Sequence, residues 1–196
     1  MNSVKEALHN DGVALLGVGE HPYSAHEIDE LIALCLKLPH PDGIGEENRL
    51  GVGRILVDPV DVAREARGYE SAKVEAPEIA QQILDIVASP QALAFWADCF
   101  SLNEVAVRRA QTNFLYPGDE VGSHNDHESN PAYRISVVMG LSDDYTGGDF
   151  IAHIDSADER RFRVNRGDIL VAKPELQHAV SVVESGKRMS LILFMY

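Results

Sequence analysis

The second half of the chain, from Val105 to Tyr196, is the feature that most constrains the fold. Short apolar runs alternate there with turn residues, which is the pattern of closely packed β-strands. The clearest turns are Gly147-Gly148 and Asn165-Arg166-Gly167. We predict eight strands in this half, at roughly 105–116, 121–126, 134–142, 149–154, 161–165, 168–173, 178–183 and 187–195.

The first half has helical patterns instead, with recognisable start signals. Ser24 and Glu27 have the spacing of a capping box, and a second helix begins near Pro77 before Ser89-Pro90 starts a further one. The apolar positions after Ser24 share one helical face: Ile28, Leu31, Ile32 and Cys35. Helices followed by strands favour the α+β class, in which N-terminal helices pack on the outside of an antiparallel sandwich or barrel.

The segment from 39 to 75 separates the predicted helices. It is rich in Gly, Pro and charged residues around one short strand candidate, 54–57. A lid or substrate loop is one interpretation of this segment. A plain surface loop is the other.

Length, charge and cysteine content set the class of protein. The 196 residues fit one domain, 1–196, with residues 1–104 as helical support and 105–196 as the strand-rich core. With 31 acidic and 17 basic residues the formal net charge is −14, which disfavours nucleic acid and anionic membranes as partners. Cys35 and Cys99 form no CxxC pair, and no secretory signal or membrane-spanning run is visible, so we expect a cytoplasmic protein.

The stretch from Gly122 to His127 carries the most chemical information. On an extended chain His124 and Asp126 project from the same face, and His178 opens a later strand after turn-like residues. Two imidazoles and one carboxylate bind ferrous iron and leave coordination positions open for a co-substrate and dioxygen. An H-x-D sequence alone is weak evidence, because polar strand ends often hold such residues for hydrogen bonding.

The last predicted strand adds a second signal. Arg188 and Ser190 share one face of it, and the opposite face is apolar: Met189, Leu191, Leu193 and Met195. An arginine that faces into a small barrel is costly to bury unless it is paired, and a dicarboxylate ligand would supply a bidentate partner. The alternative is a surface arginine on an edge strand.

These elements together resemble a known family. Their order along the chain is Tyr116-Pro117-Gly118, His124-Asn125-Asp126, Thr146-Gly147-Gly148-Asp149-Phe150, His178 and Arg188-Met189-Ser190. This order is similar to that of the iron(II)- and 2-oxoglutarate-dependent dioxygenases, in particular their prolyl-4-hydroxylase-like branch, and the resemblance covers about residues 105–196. It implies a double-stranded β-helix, the jelly roll or cupin-like barrel.

The resemblance also implies roles for individual residues. His124, Asp126 and His178 would be the catalytic iron ligands, and Arg188 would hold the 5-carboxylate of 2-oxoglutarate with help from Ser190. Tyr116 occupies the place of a family tyrosine near the co-substrate. Asn113, Arg134 and Ser136 could also face inward near it.

The activity implied is that of an oxidoreductase: hydroxylation of an unactivated C–H bond with O2, yielding succinate and CO2. Halogenating relatives carry a small residue in place of the carboxylate ligand, so Asp126 argues against halogenation. Desaturation or ring formation remains open. The compact chain favours a small-molecule substrate such as an amino acid or a specialised-metabolism intermediate, bound by a monomer or homodimer.

Three alternatives stay open at the level of sequence. One is a peptidyl prolyl or amino-acid hydroxylase. The others are a non-catalytic cupin-like metal-binding protein and a structural jelly roll, for which Arg188 or the two histidines would have no functional role. The acidic excess would suit a cationic substrate, although net charge says little about a binding site.

Overall fold

A computed structural model of the chain describes residues 2–39, 51–58, 73–153 and 156–196. The helices in this part of the chain are α1 (Asn2–Asn10), α2 (Ala25–Cys35), α3 (Pro77–Val87) and α4 (Pro90–Cys99), with a short 3₁₀ helix at Asp126–Glu128. None of the helices in the described ranges has both the length and the apolar character needed to cross a membrane.

The strands of the described ranges form three antiparallel sheets. Their bounds are β1 Val13–Leu16, β2 Gly51–Leu56, β3 Val107–Leu115, β4 Val121–His124, β5 Ile135–Gly140, β6 Tyr145–Gly147, β7 Phe150–Ala152, β8 Arg160–Phe162, β9 Ile169–Ala172, β10 His178–Val180, β11 Val183–Gly186 and β12 Arg188–Met195. A six-stranded sheet has the order β1-β9-β5-β12-β3-β2, and a four-stranded sheet has the order β4-β10-β7-β8. Strands β6 and β11 pair with each other.

Local sequence signals explain where the helices begin. The Ser24 hydroxyl accepts a hydrogen bond from the Glu27 backbone N–H at 3.2 Å, and the Ser24 N–H donates to the Glu27 carboxylate at 2.7 Å. This reciprocal pair is the predicted capping box, so the start of α2 is confirmed. Helices α3 and α4 both begin with proline, where the missing N–H costs no intrahelical hydrogen bond.

The helices cover the outer face of the six-stranded sheet with one continuous apolar core. This core includes Ile28, Leu31, Ile83 and Trp96 from the helices and Phe114, Val137, Met139, Leu191 and Leu193 from the strands. The inner face of the same sheet packs against the four-stranded sheet. That second core includes Tyr133, Val138, Phe150, Leu170, Ile192 and Phe194.

Strand β12 shows how the layers follow from the sequence. Its odd-numbered residues from Met189 to Met195 enter the core under the helices, while Ile192 and Phe194 face the other sheet. This is the two-faced pattern predicted for the last strand. Two facing antiparallel sheets with helices on the outside give the predicted α+β jelly-roll architecture.

The strand prediction differs from the structure in several places. Helix α1 and strand β1 were not predicted, because they are short and lack clear start or alternation signals. The predicted strand 178–183 is divided between β10 and β11. Strands β6 and β11 carry exposed polar side chains such as Thr146 and Ser185, whose hydroxyls lie 2.9 Å apart, so they show little of the apolar pattern of buried strands.

The predicted loop at 39–75 falls mostly outside the described residues, which leave out 40–50 and 59–72. Its lid interpretation therefore stays a prediction. The strand candidate within it is present as β2, at the edge of the six-stranded sheet and antiparallel to β3.

One buried hydrogen-bond network joins Tyr23, which precedes α2, to helices α3 and α4. Trp96 is fully buried, and its indole Nε1 donates to the Tyr23 hydroxyl at 3.2 Å. The same hydroxyl donates to the carbonyl of Val87 at 3.0 Å. Burial raises the pKa of Tyr23, so the phenol remains protonated and able to donate.

Replacing Tyr23 by Phe should remove both hydrogen bonds and leave a buried indole N–H and a buried carbonyl without a partner. We expect the free energy of unfolding to fall by about 1–3 kcal/mol, measured by urea denaturation. Tyr196→Phe is the matched control, since Tyr196 is 49% exposed, and should change stability by less than about 0.5 kcal/mol. Equal stability of the two variants would show that the network contributes little.

Candidate metal and co-substrate site

Two histidines lie opposite each other on neighbouring strands of the four-stranded sheet. Strands β4 and β10 are antiparallel, and their register makes His124 the direct partner of His178. The centroids of the two imidazole rings lie 4.3 Å apart. The pairing of two strands thus brings together residues that are distant in sequence.

Asp126 reaches the same place by a different route from the one predicted. Strand β4 ends at His124, and Asp126 opens the 3₁₀ helix rather than continuing an extended strand to 126. The Asn125 side chain caps this helix by accepting from the Glu128 N–H at 3.0 Å. The Asp126 N–H donates to the carbonyl of Pro174 at 2.9 Å. A capped turn, and not strand alternation, therefore turns the carboxylate toward the histidines.

The three side chains form a compact set of donor atoms. Asp126 Oδ1 lies 3.7 Å from His124 Nε2, and Asp126 Oδ2 lies 4.0 Å from His178 Nε2. The candidate ligand atoms of His124, Asp126 and His178 all lie within 4.8 Å of one another. That spacing is suited to a single metal ion bound by two imidazoles and one carboxylate.

Backbone carbonyls orient both imidazole rings. His124 Nδ1 lies 2.8 Å from the carbonyl of Gly122, and His178 Nδ1 lies 2.9 Å from the carbonyl of Leu176. A carbonyl can only accept, so each Nδ1 carries a proton, and each Nε2 is left for the space that the rings share with Asp126. This arrangement is typical of histidine ligands, because it fixes both the tautomer and the ring orientation.

The environment of His178 keeps its imidazole neutral. Burial lowers the pKa of His178, and the nearby Asp126 carboxylate offsets only part of that effect. The Phe150 ring stacks on the imidazole at a centroid distance of 4.9 Å. A neutral ring is the form that binds a metal ion.

Arg188 lines the same cavity as the three residues, a space of about 180 Å³ between the two sheets. Arg188 is only 3% exposed, and its Nη1 donates to the Ser190 hydroxyl at 3.1 Å. Its Nε has no hydrogen-bond partner in the described part of the chain. Burial lowers the pKa of Arg188, yet a guanidinium stays charged in proteins. The result is a buried cation with donor capacity left over.

The absence of a side chain at Gly148 leaves space for the Arg188 side chain. The backbone φ of Gly148 is +66°, and a Cβ atom at this position would lie 2.9 Å from Arg188 Cδ. The nearby Asp149 carboxylate lies 2.9 Å from Arg163 Nε and makes no hydrogen bond to Arg188, so it stabilises the Arg188 charge only through space. The Gly147-Gly148 turn found in the sequence therefore has a second role beside chain reversal.

The structure does not bring Tyr116 into this cavity. Side chains alternate along the strand before it, so Leu115 faces Val180 and Val183 while Tyr116 lies on the helical side. The ammonium group of Lys187 lies 5.6 Å from the centroid of the Tyr116 ring. Tyr116 is absent from the described residues that line the cavity, so its expected role near the co-substrate stays a prediction.

Asn113, Ser136 and Arg134 were also expected to face inward, and the structure places only the first two there. Asn113 and Ser136 both line the cavity. Arg134 is exposed instead, and its guanidinium donates to the carbonyls of Pro131 and Tyr133 at 3.0 and 3.1 Å. Strand register decides which of these residues face the cavity, and the sequence alone does not fix that register.

Two further histidines lie near the site without lining it. His127 Nδ1 is 3.7 Å from the carboxylate of Glu175. His153 Nε2 is 2.7 Å from the carbonyl of Asp11. Both therefore interact elsewhere, although His127 directly follows Asp126 in the chain.

Sequence analysis missed three polar residues that line the cavity: Ser129, Arg109 and Gln111. The last two belong to β3 and lie on the same face as Asn113, with Ala110 and Thr112 between them. Polar residues at every second position of a strand were the available signal, because such alternation marks one polar face. None of the residues in this row is a type that commonly binds a metal ion, so a motif of metal ligands does not include them.

Comparison with known proteins adds an independent line of evidence. No family model matches the chain. A curated PKHD-type hydroxylase from Idiomarina loihiensis is 33% identical over 90 residues, which are 44% of this chain and 41% of that protein. The chain thus spans less than half the length of this relative.

Solved structures match over nearly the whole chain. An oxidoreductase of the 2OG-Fe(II) oxygenase family from Burkholderia pseudomallei has a TM-score of 0.83 and 26% identity, covering 99% of this chain and 88% of the other. A prolyl-4-hydroxylase from Pseudomonas putida has a TM-score of 0.59 and 17% identity, covering 98% and 96%, and shares the fold. The chain is therefore similar in sequence to part of a PKHD-type hydroxylase and in fold to 2OG-Fe(II) oxygenases, which agrees with the resemblance that its motifs indicated.

Proposed function

We propose that this chain is an iron(II)- and 2-oxoglutarate-dependent oxygenase that hydroxylates an unactivated C–H bond of a small molecule, with release of succinate and CO2. His124, Asp126 and His178 would hold the iron. Arg188, supported by Ser190, would hold the 5-carboxylate of 2-oxoglutarate. Dioxygen is the second co-substrate.

The donor set supports iron at this place. Two imidazoles and one carboxylate converge within 4.8 Å, with both rings oriented by backbone carbonyls. Three protein ligands leave further coordination positions for a chelating co-substrate and dioxygen. A structural metal site would more often be closed by a fourth protein ligand.

The observation that carries the proposal is the buried Arg188 beside the triad. Its Nε lacks a partner, and it shares the cavity with the three metal-binding candidates. A dicarboxylate that reaches from the metal to Arg188 would supply the bidentate partner that a guanidinium prefers. A cupin-like binding protein has no need for such a cation, so this feature favours the oxygenase over that alternative.

The bound iron and 2-oxoglutarate would supply the oxidising chemistry, in which O2 oxidises both 2-oxoglutarate and the substrate C–H bond. The chain's own residues would bind and orient the substrate and would exclude water from the cavity. Apolar side chains from both sheets surround the polar groups of the cavity, among them Val138, Phe150, Leu170 and Ile192. Such walls strengthen electrostatic contacts inside the cavity and limit side reactions with water.

Hydroxylation and a small substrate are supported by two observations. The curated relative is called a hydroxylase. A cavity of about 180 Å³ is small among ligand sites, which favours a small molecule over a larger one. Peptidyl prolyl hydroxylation is the second candidate, favoured by the likeness in fold to the Pseudomonas prolyl-4-hydroxylase. A cytoplasmic location and a monomeric or homodimeric state stay predictions from the sequence.

Replacing His178 by Ala should remove one of three ligands and lower the affinity for a divalent metal by at least about 100-fold. Isothermal titration of the metal-free protein with manganese(II) measures this. His127→Ala is the matched control, because His127 is close in sequence but does not line the cavity, and it should bind as the wild type does. Unchanged affinity in His178→Ala would remove that residue from the site.

Replacing Arg188 by Ala should abolish binding of 2-oxoglutarate while leaving metal binding intact. The measurement is an anaerobic titration with iron(II) and then 2-oxoglutarate, followed through the visible charge-transfer band that keto-acid chelation produces. Arg134→Ala is the control, since that arginine is exposed outside the cavity, and should keep the band. A wild-type protein that binds iron without developing the band would point to the cupin-like alternative.

A further inference from the structure

A buried carboxylate lies just after the end of β2. Asp58 is only 4% exposed and does not line the cavity. Its Oδ1 accepts from Arg108 Nε at 3.0 Å, and its Oδ2 accepts from the Asn130 side-chain nitrogen at 2.6 Å and from the Tyr133 hydroxyl at 2.9 Å. The carboxylate therefore joins the end of β2 and the start of β3 to the segment that precedes β5.

Stability alone explains this carboxylate poorly. An ionised group is costly to bury, and replacing a buried ion pair by apolar side chains of similar volume is often neutral or stabilising. Two of the three donors are enclosed as well, because Asn130 is 4% exposed and Tyr133 is 1% exposed. A fully bonded buried network of this kind holds its members rigidly in one arrangement. We therefore consider what the network holds in place.

The segment attached to Asp58 continues the turn that presents Asp126. The Ser129 N–H donates to the carbonyl of Asp126 at 3.0 Å, and the Asn130 N–H donates to the same carbonyl at 3.4 Å. The Asn130 side-chain oxygen accepts from the Ala132 N–H at 2.9 Å, so this side chain makes contacts in both directions. Asn130 thus closes the turn and joins it to Asp58.

The start of the same turn is held by a different part of the chain. The Asp126 N–H donates to the carbonyl of Pro174, and two residues further along the carbonyl of Leu176 orients the His178 imidazole. This contact fixes the start of the turn relative to His178, and Asp58 fixes its end relative to β3. Functional side chains have to be held within about 0.5 Å of their productive geometry. Restraint at both ends of the turn meets that requirement.

Tyr133 gives Asp58 a second point of attachment to this segment. The Tyr133 ring stacks on Phe194, which lines the cavity, at a centroid distance of 4.8 Å. Burial raises the pKa of Tyr133, and the nearby Arg109 charge offsets only part of that effect. The phenol therefore stays protonated and donates to the carboxylate. Asp58 thus holds the segment at Asn130 and again at Tyr133.

We infer that Asp58 is a positioning residue for the metal ligand Asp126. It contacts neither the metal nor the co-substrate, and it acts through Asn130 by holding the end of the turn. This inference rests on the metal site of the proposed function and does not depend on the oxygen chemistry. It gives a role to a residue that no metal motif includes and that lies far from Asp126 in the chain.

The test is the affinity of the metal-free protein for manganese(II), measured by isothermal titration. Asp58→Ala should weaken binding by at least about tenfold, because contacts that orient metal ligands commonly contribute 10- to 100-fold to affinity. Asp58→Asn keeps one side-chain oxygen that can accept from Asn130, and it should retain more of the affinity than Asp58→Ala does. Affinity no higher in Asp58→Asn than in Asp58→Ala would contradict the role of that contact.

Asn130→Ala tests the same contact from its other side. It leaves Asp58 its other two donors, so the contact can be tested even if Asp58→Ala does not fold. Asn130→Ala should also weaken manganese(II) binding by at least about tenfold. The double variant with alanine at both positions should bind about as weakly as the weaker single variant, because both changes break one contact. Losses that multiply would contradict a route through Asn130.

Tyr23→Phe is the control for lost stability. It removes buried hydrogen bonds in the helical layer, away from the contacts of Asp58, and should bind manganese(II) as the wild type does. A similar loss of affinity in Tyr23→Phe would overturn the positioning role, as would wild-type affinity in Asp58→Ala and Asn130→Ala. Either result would leave the metal site in place. Failure of the wild type to bind manganese(II) would overturn the metal site and this inference together.

Discussion

The buried guanidinium of Arg188 is the constraint on which the account of this protein depends. A full charge with an unsatisfied N–H inside a jelly roll is unfavourable unless something binds it. The guanidinium of Arg188 donates to the Ser190 hydroxyl, and the absence of a side chain at Gly148 leaves space for the Arg188 side chain. A protein that merely needed a filled core would gain from an apolar residue at this position.

The antiparallel registers explain how three separate pieces of chain meet around this cation. The pairing of β4 with β10 places His124 opposite His178. The pairing of β12 with β3 places Arg188 and Arg109 toward opposite ends of the cavity. A one-residue slip in either register would turn these side chains to the opposite face. The outer apolar face of β12, packed under the helices, opposes such a slip. The helical layer therefore supports the site although it contributes no cavity-lining residue among those described.

Much of this arrangement could be predicted from the sequence, for definable reasons. Alternation along the last strand separated Arg188 and Ser190 from the apolar face, and the Ser24 capping box located α2. The turn that presents Asp126 was not foreseen, because it depends on the carbonyl of Pro174, a residue far away in the chain. Tyr116 lies on the helical side of the sheet because strand phase, and not motif order, decides which side a residue faces. Arg109, Gln111 and Asn113 face the cavity for the same reason, because they alternate along β3, although no metal motif includes them.

The most direct test of the central claim is the structure of the protein crystallised anaerobically with iron(II) and 2-oxoglutarate, with the metal located by its anomalous scattering. The account predicts one iron at about 2.0–2.2 Å from Nε2 of His124, Nε2 of His178 and an oxygen of Asp126, with the 5-carboxylate of 2-oxoglutarate on Arg188. Iron bound away from these three residues would contradict it, as would 2-oxoglutarate bound without Arg188.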